Sequence, residues 1–345
     1  MNENRNCQWR IARRPDGNVV ADDFRYTEEE IRTPGDGEFL LKTYYINVAP
    51  VMRMYMSGES VAGEKPLDIG DIIHGRAVAE VIESHHPDFA VGDFVHGQVG
   101  WQTYKVSAGS AQEKFRKVPD LGLSYSVALG SLGMTGFSGY FGFVDCGKPE
   151  EGDVVLVSGA AGGVGTHVVQ IAKLFGCRVV GIAGGEEKCA LVRSIGCDDV
   201  IDYKAGNIAD QIAAACPDGI DLYFDNVGGE TLAAVLENLA MHSRIVLCGS
   251  ISEYLLDEPF GLTNYTRLRR TNTTMQGFFI YNHVDDFDRA ERDMAAWLRG
   301  GKIKPVEHIF DGFDSLPGAL ASLYTGKNYG IAMVRVRPGP HDTVN

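Results

Sequence analysis

A glycine-rich turn between an apolar run and a helical pattern is the segment whose residue types most directly indicate chemistry. Residues 154–157 are Val-Val-Leu-Val, a run typical of a fully buried parallel strand. The next residues match G-x-G-x-x-G at Ala160, Gly162 and Gly165, with alanine first, and a helical pattern follows over 166–175. This arrangement presents backbone N–H groups to a pyrophosphate, so it predicts a dinucleotide site; the alternative is a tight turn between packed elements.

The end of the second predicted strand, 178–183, indicates which dinucleotide is bound. NAD enzymes place an Asp or Glu there to bond the ribose 2′-hydroxyl, but this chain continues with Gly184 and Gly185. Without a carboxylate to repel it, a 2′-phosphate can enter, and Lys188 is placed to neutralise it. Two glutamates precede Lys188, where they also suit the first turn of a helix. We predict NADPH; otherwise Lys188 is an exposed helix lysine.

The elements that must position these residues alternate regularly from residue 154 onward. Strands are predicted at 154–157, 178–183, 199–203, 220–225, 244–249 and 274–280, and helices at 166–175, 186–195, 207–216 and 230–240. This alternation predicts an α/β fold with a doubly wound Rossmann sheet. Residues 9–117 instead show short strands between turns, which predict a small, partly open β-barrel, and 330–336 is expected to rejoin it. The predicted domains are 1–125 (β-barrel), 126–304 (NADP-binding) and 305–345 (return to the first domain and tail).

Length and charge limit the function further. A chain of 345 residues exceeds one typical core. Its net charge of −14 argues against nucleic acid or an anionic membrane surface as the main partner. We find no apolar run of signal-peptide or membrane-spanning length, and the seven cysteines stand singly. A cytoplasmic protein with reduced thiols is expected.

Two segments of the first third interrupt the strand pattern. One is 47–56, where Pro50 ends a strand and a Met-rich turn or helix begins; the other is 97–104, with Trp101 in a loop. Such loops often contact ligands, but Met and Trp equally fill a core, so both interpretations stay open. Neither the cysteines nor the histidines of this region have a spacing that would converge on one ion, so no metal site is expected.

Taken in order, these segments resemble the zinc-independent medium-chain dehydrogenase/reductase superfamily over about 330 residues. More narrowly, they are similar to its leukotriene B4 dehydrogenase/prostaglandin reductase branch, above all to the bacterial curcumin/dihydrocurcumin reductases. The stretches that carry the resemblance are Pro50-x-Met-Arg53, Gly133-Met-x-Gly-x-Ser-x-Tyr140, Ala160-Ala-Gly-x-Val-Gly165, Gly184-x-Glu-x-Lys188, Phe224-Asp-Asn-Val-Gly-Gly229, Cys248-Gly-x-Ile-Ser-x-Tyr254, Gln276-Gly-Phe278 and Gly326-Lys-Asn-x-Gly330.

The resemblance implies a GroES-like catalytic domain and metal-independent, NADPH-dependent reduction of the C=C bond of α,β-unsaturated ketones or aldehydes (EC 1.3.1 type). The motifs and the resemblance together assign to the cofactor Ser138, Ala160, Gly162, Gly163, Val164, Gly165, Gly184, Lys188, Tyr203, Asn226, Cys248, Gly249, Phe278 and Asn328. They assign to a hydrophobic substrate pocket Val51, Met52, Arg53, Trp101, Tyr254 and Phe278. Relatives often have an aromatic residue where this chain has Val51, which leaves the shape of that pocket open.

The resemblance makes Tyr254 the catalytic residue, and elementary chemistry supports the assignment. Hydride addition to the β-carbon of an enone places negative charge on the carbonyl oxygen, and a neutral tyrosine hydroxyl can donate to that oxygen, as can the cofactor ribose. Tyr254 could instead be a surface-loop tyrosine. The alternative functions are an NADPH quinone reductase of the same superfamily and a non-catalytic NADPH-binding protein. The strand at 274–280 would form an apolar sheet edge, which predicts a homodimer, as in the family.

Overall fold

Two compact units make up the chain. The computed structural model describes residues 4–58, 60, 65–258 and 260–342. Residues 1–130, 307–328 and 332–345 form one unit, here called the β unit. Residues 131–306 and 329–331 form the other, here called the α/β unit. The predicted domain limits at residues 125 and 304 stay predictions.

The helices and strands of the described residues are as follows. The strands are β1 (Arg5–Ile11), β2 (Phe24–Glu30), β3 (Phe39–Asn47), β4 (Arg76–Ser84), β5 (Phe94–Gln98), β6 (Tyr104–Ser107), β7 (Arg116–Lys117), β8 (Val154–Val157), β9 (Arg178–Ala183), β10 (Asp199–Asp202), β11 (Ile220–Asp225), β12 (Leu239–Leu247), β13 (Thr274–Gly277), β14 (Glu307–Asp311) and β15 (Ile331–Arg335). The α-helices are α1 (Val51–Tyr55), α2 (Ser126–Leu129), α3 (Met134–Phe141), α4 (Gly163–Leu174), α5 (Glu186–Ser194), α6 (Ile208–Ala215), α7 (Gly229–Val235), α8 (Arg267–Thr271), α9 (Phe287–Arg299) and α10 (Leu316–Tyr324).

The α/β unit contains a six-stranded sheet in the order β10-β9-β8-β11-β12-β13. All pairings in it are parallel. The order reverses direction beside β8, the strand before the glycine turn, and this is the strand order of a Rossmann fold. Val155, Leu156 and Val157 are fully buried, as their uninterrupted apolar run predicted. The predicted doubly wound Rossmann sheet is therefore confirmed.

Three elements predicted in this unit have other limits in the structure. The helix expected at 230–240 ends at Val235, because β12 begins at Leu239 and pairs there with Ile220 of β11. The strand expected at 244–249 therefore runs over Leu239–Leu247. The strand expected at 274–280 ends at Gly277, because a 3-10 turn occupies Ile280–Asp286.

The β unit contains a seven-stranded sheet centred on β3, which pairs with β4, β6 and β15. The partner β15 is the strand expected to rejoin this unit from the end of the chain. Helix α1 begins directly after Pro50, as predicted. Closure of the sheet into a GroES-like barrel stays a prediction. Among the described residues, no helix is long and apolar enough to span a membrane.

A cluster of polar side chains in the β unit holds the end of the described chain. Ser124 donates to Asp342 Oδ1 over 2.6 Å, and the Tyr45 hydroxyl donates to Asp342 Oδ2. Beside them, the Ser126 hydroxyl donates to Glu307 Oε2 over 2.8 Å. Burial, together with the negative charge of Asp342, raises the pKa of Glu307 to about 7, against the hydrogen bond from Ser126. The fold therefore favours the protonated form of Glu307.

The raised pKa of Glu307 predicts a loss of stability between about pH 4.5 and pH 7, because the unfolded chain loses this proton first. Replacing Glu307 with Gln removes the cost of ionisation, so the variant should be more stable than the wild type by about 1–3 kcal/mol near pH 8 and equally stable near pH 4. Thermal unfolding across this pH range measures the difference. An equal change in the exposed-site control Asp314→Asn, or a difference that does not depend on pH, would contradict this account.

Candidate active site

The turn between β8 and α4 has the geometry that a dinucleotide requires. The helix begins within the glycine motif, at Gly163, with Gly162 as its N-terminal cap and no side-chain cap. Thr166 N–H makes the first bond of the helix, to Gly162 O over 2.9 Å. The amides of Gly163, Val164 and Gly165 lie in the first turn, where a helix provides no acceptor, so they are available to a bound anion.

The last glycine of the motif cannot carry a side chain. A Cβ at Gly165 would lie 2.3 Å from Gly159 O and 2.8 Å from Ala160 Cα, both backbone atoms. Ala160 is itself fully buried, and its N–H bonds Ile182 O over 3.0 Å. The close approach of helix to turn, which puts the first-turn amides at the end of β8, therefore depends on glycine at position 165.

We expect Gly165→Ala to weaken NADPH binding by about tenfold or more and to lower the melting temperature by several degrees, since overpacking costs about 1–3 kcal/mol. Isothermal titration with NADPH and thermal unfolding measure the two effects. The matched control is Gly261→Ala in the same unit, where an added Cβ meets nothing within 4 Å. An unchanged affinity in Gly165→Ala would show that the close approach is not needed.

A second turn packs directly on the glycine turn. Gly330 N–H donates to Ala161 O over 2.7 Å, and Gly330 forms a bridge with Gly162. Gly330 has a φ of +52° and a Cβ there would lie 2.2 Å from Val306 O, so this position also requires glycine. From this motif only Asn328, which is partly exposed, was predicted to contact the cofactor, and the role of Gly330 was missed.

Positive charge collects at the end of β9, where the 2′-phosphate was expected. The Tyr203 side chain covers Gly184, since a Cβ there would lie 2.5–2.8 Å from two ring carbons and the hydroxyl oxygen of Tyr203. Burial lowers the pKa of Lys188, and so does the positive charge of Lys204. The Lys204 Nζ lies 5.9 Å from the centre of the Tyr203 ring. The two ammonium groups repel each other in the absence of an anion and would both be stabilised by a phosphate.

Lys204 was missed at the sequence level, where only Lys188 and Tyr203 were assigned. The available signal was its place directly after Tyr203, at the end of β10. Asp202 lies beside these lysines as an ionised carboxylate, and its Oδ1 accepts hydrogen bonds from Gly185 N and Lys204 N, each over 2.9 Å. These backbone bonds lower the pKa of Asp202.

The turn after β11 holds Asn226 in one orientation. Its side-chain Nδ2 donates to Ser158 O over 2.8 Å, and its backbone N–H donates to Ser158 Oγ over 2.9 Å. Ser158 Oγ in turn donates to Asp225 Oδ1 over 2.9 Å. A network of hydrogen bonds therefore joins the ends of β8 and β11. The side-chain oxygen of Asn226 takes no part in these bonds.

The loop after β12 carries the candidate catalytic tyrosine. The Tyr254 hydroxyl accepts a hydrogen bond from Ser250 N–H over 3.2 Å, which leaves its own hydrogen to donate. A Cβ at Gly249 would lie 3.2 Å from the Tyr254 oxygen, so the hydroxyl packs against the Cys248-Gly249 turn. Burial raises the pKa of Tyr254, and Cys248 raises it to a lesser degree. The hydrogen bond from Ser250 lowers it, but the net shift is upward. The hydroxyl is therefore protonated at neutral pH.

The remaining predicted residues of the α/β unit occupy neighbouring elements. Phe278 is partly buried, its N–H bonds Leu247 O over 3.0 Å, and its ring lies 5.4 Å from that of His283. Ser138 lies on α3, and its Oγ donates to Met134 O over 2.7 Å. That hydroxyl therefore already has an acceptor within its own helix.

In the β unit, Met52 and Trp101 are core side chains. Trp101 has no exposed surface, and its ring stacks on that of Phe24 with the ring centres 5.7 Å apart. It packs so closely on Gly75 that a Cβ at that position would lie 2.6 Å from the indole ring. Met52 is 3% exposed and belongs to the same core cluster. Of the two interpretations left open by the sequence, this packing supports core filling for both side chains.

Val51 and Arg53 are partly exposed on α1 of the same unit. The Arg53 guanidinium is committed to the backbone, since it donates to Gly17 O over 2.9 Å and to Pro15 O over 3.0 Å. Its anchoring fixes helix α1 against the loop that follows β1. Val51 presents an aliphatic side chain beside it, packed against the core.

The described residues contain no group of three or more His, Cys, Asp or Glu side chains that could hold a metal ion. His167, which is fully buried near the glycine turn, bonds Gly163 O over 2.7 Å and Ser131 Oγ over 2.9 Å. Burial lowers its pKa, so it is a neutral structural side chain that fixes the first turn of α4.

Known proteins match this chain along most of its length. Residues 7–115 match a family described as the N-terminal domain of oxidoreductase, and residues 163–296 match one described as zinc-binding dehydrogenase. The NADPH-dependent curcumin reductase of Escherichia coli is 42% identical over 96% of this chain and 97% of its own length. Prostaglandin reductase 1 of Bos taurus is 37% identical over 95% of this chain and 98% of its own length.

Solved structures match as well. CurA from Vibrio vulnificus in complex with NADPH is 39% identical, covers 96% of this chain and all of its own, and superposes with a TM-score of 0.89. Identity of this extent over both units goes beyond a shared fold, and it agrees with the motifs found along the sequence. This chain belongs to the medium-chain dehydrogenase/reductase superfamily, in its leukotriene B4 dehydrogenase/prostaglandin reductase branch.

Proposed function

We propose that this chain reduces the C=C bond of α,β-unsaturated ketones and aldehydes, including curcumin-like enones, with NADPH. The observation that carries the proposal is the Tyr254 hydroxyl, which is protonated, accepts from Ser250 N–H and keeps its hydrogen to donate. It lies in the same α/β unit as the glycine turn. The related enzymes whose names include NADPH and reductase activity agree with this combination.

The residues that would hold NADPH fit its parts. The first-turn amides of α4 suit the pyrophosphate, and the missing Cβ at Gly165 provides the required space. Lys188 and Lys204, together with the Tyr203 ring, suit a 2′-phosphate. We further propose that Asn226, the Cys248-Gly249 turn and Phe278 contribute to the nicotinamide side, and that Ser138 also contacts the cofactor. When bound, NADPH supplies the hydride.

The residues of this chain then handle the charge that the reaction creates. As the β-carbon gains hydride, negative charge grows on the carbonyl oxygen, and a neutral hydroxyl donor stabilises it. Tyr254 supplies such a donor, and none of the residues that the structure describes is seen to accept its hydrogen. Because its pKa is raised above that of free tyrosine, ordinary alkaline conditions do not remove this hydrogen.

The proposal is tested by following NADPH oxidation against enones, enals, quinones and curcumin-like diketones, with and without a chelator. We expect oxidation with the enones and enals, with saturated ketones or aldehydes as products, and no effect of the chelator. Faster turnover of quinones than of any enone would favour a quinone reductase. No oxidation with any acceptor, despite tight NADPH binding, would favour a non-catalytic binding protein.

We also propose a homodimer formed through β13. This strand is the last of its sheet, so its outer edge has no partner among the described strands. Such edges are usually covered. Phe279 beyond its end is 44% exposed and adds an apolar surface. Analytical ultracentrifugation should show a dimer that Thr274→Lys converts to a monomer; a monomeric wild type would refute the proposal.

Finally, we propose that the protein acts in the cytoplasm. All seven cysteines are free thiols, and most are buried. Paired cysteines are common in oxidising compartments and rare in the cytosol. Fractionation of cells that express the full chain should recover it with cytosolic markers, and recovery with an extracellular or periplasmic fraction would refute this.

A further inference from the structure

The loop that carries Tyr254 is bound along the turn after β11. Ile251 N–H donates to Asn226 O over 3.3 Å, and Ser252 N–H donates to Val227 O over 3.1 Å. The Ser252 hydroxyl donates to the same Val227 oxygen over 2.6 Å. The backbone just before Tyr254 is therefore held against the turn that carries Asn226.

Two glycines of that turn leave room for the loop. Gly228 has a φ of +72° and Gly229 has one of +54°, a backbone conformation that favours glycine. A Cβ at Gly228 would lie 2.5 Å from Glu253 Oε1, and a Cβ at Gly229 would lie 2.8 Å from Ser252 Oγ. The loop thus packs where the turn has no side chains, and Glu253 makes the closer of these two contacts.

The partly buried Glu253 carboxylate joins the loop to two other segments. Its Oε1 accepts Gly229 N–H over 3.0 Å. Gly229 is the first residue of α7, whose first-turn amides have no acceptor within the helix, and a carboxylate is well suited to that position. The other oxygen, Oε2, accepts Phe260 N–H over 3.3 Å. One side chain therefore ties the Tyr254 loop to the start of α7 and to the chain that leaves the loop.

The backbone of Glu253 belongs to the same local turn as the Tyr254 hydroxyl. Glu253 N–H donates to Ser250 O over 2.8 Å, and Ser250 N–H donates to Tyr254 Oη over 3.2 Å. Leu256 N–H donates to Glu253 O over 3.0 Å. The position of the hydroxyl therefore depends on this local turn, and the Glu253 carboxylate helps to fix the turn on the α/β unit.

We propose that Glu253 is a positioning residue, which holds the Tyr254 loop on the turn after β11 and so fixes the Tyr254 hydroxyl relative to Asn226. The proposal rests on the proposed function and adds to it a residue that acts through Tyr254, without contact to substrate or cofactor. A donor to a developing oxyanion is effective only if it is already in place, and a displacement of about 1 Å costs up to about 10²-fold in rate. The two carboxylate bonds restrict such a displacement.

Steady-state kinetics of enone reduction test this role. Glu253→Ala removes both carboxylate bonds, so kcat should fall about five- to twentyfold, while the KM for NADPH should stay within about threefold, because the pyrophosphate and the 2′-phosphate are proposed to bind at other elements. Glu253→Gln keeps an acceptor oxygen of the same reach for Gly229 N–H and should restore most of kcat. The matched control Glu258→Ala removes an exposed carboxylate from the same loop and should match the wild type. A wild-type kcat in Glu253→Ala would overturn the proposal.

A double-mutant cycle distinguishes positioning from a merely structural role. If Glu253 acts through the Tyr254 hydroxyl, Glu253→Ala should lower kcat by less than about twofold in a Tyr254→Phe background, where that hydroxyl is absent. Loss by the same factor in both backgrounds would contradict the proposal, because it would show a general defect of folding or of cofactor binding.

Amide hydrogen exchange measures the loop without reference to activity. In the full-length protein, Glu253→Ala should speed exchange in peptides from 248–258 about threefold or more and leave peptides from the turn between β8 and α4 unchanged. Unchanged exchange in the loop would overturn the proposal. If Glu253→Ala does not fold, Glu253→Asp decides: its side chain is one methylene too short to reach both amides, so exchange in the loop should again rise, and wild-type exchange would overturn the proposal. If the protein reduces no enone at all, the proposed function fails, whereas the exchange still decides whether Glu253 holds the loop.

Discussion

Replacing Lys188 with Ala should raise the KM for NADPH by about 10- to 100-fold, because a charge-assisted hydrogen bond is worth about 1.5–3 kcal/mol. The turnover number should change little, since the ammonium group is expected to contact the 2′-phosphate and not the reacting atoms. The KM for NADH, which lacks that phosphate, should stay as it is. Steady-state kinetics with both cofactors at a saturating enone concentration measure the effect.

Two further lysine variants make this prediction specific. Lys204→Ala should raise the KM for NADPH by a smaller factor, about three- to tenfold, because the exposed Lys204 side chain is more strongly screened by solvent. Lys302→Ala removes an exposed lysine from the same unit and should have no effect. An equal loss with NADH and NADPH in Lys188→Ala would contradict the assignment of the 2′-phosphate to this end of β9.

The second large effect is expected in Tyr254→Phe. Removing one donor to a developing oxyanion costs about 10²–10³ in rate, and a ribose hydroxyl remains as a second donor, so kcat/KM for enones should fall by about 10- to 100-fold. Some activity should persist, because hydride delivery depends on orientation by the bound cofactor. The KM for NADPH should not change. Initial rates against enone concentration, at saturating NADPH, provide the comparison.

The matched control for this variant is Tyr265→Phe, since Tyr265 lies in the same α/β unit and is 59% exposed. It should retain the wild-type kcat/KM. If Tyr254→Phe also retained it, Tyr254 would be a loop tyrosine and another donor would have to stabilise the oxyanion.

Local patterns predicted the α/β unit well, and the limits of that prediction have physical causes. The run at 154–157 is buried on both faces, so its apolar character identified β8 directly. The first two residues of β12, Leu239 and Ala240, are partly exposed, and they were assigned to a helix because their place depends on pairing with Ile220, which no local pattern records. Likewise β2 has mostly exposed side chains, so it shows no alternation that would reveal a strand.

The candidate site was predicted where backbone chemistry determines the sequence, and missed where distant segments meet. Glycine is required at 165 because a Cβ would strike the preceding turn, so the motif was visible in the sequence. Ser158 and Asp225 are 67 residues apart and meet only because β8 and β11 are adjacent in the sheet. Lys204 faces Lys188 through the pairing of β10 with β9, which depends on strand order.

Transfer of deuterium from NADPH labelled at both C4 positions of the nicotinamide tests the central claim most directly. The full-length protein is incubated with labelled NADPH and a simple aryl enone, and the product is analysed by NMR spectroscopy and mass spectrometry. The account predicts a saturated ketone with one deuterium at the β-carbon and the carbonyl intact. Deuterium at the carbonyl carbon of an allylic alcohol would contradict it.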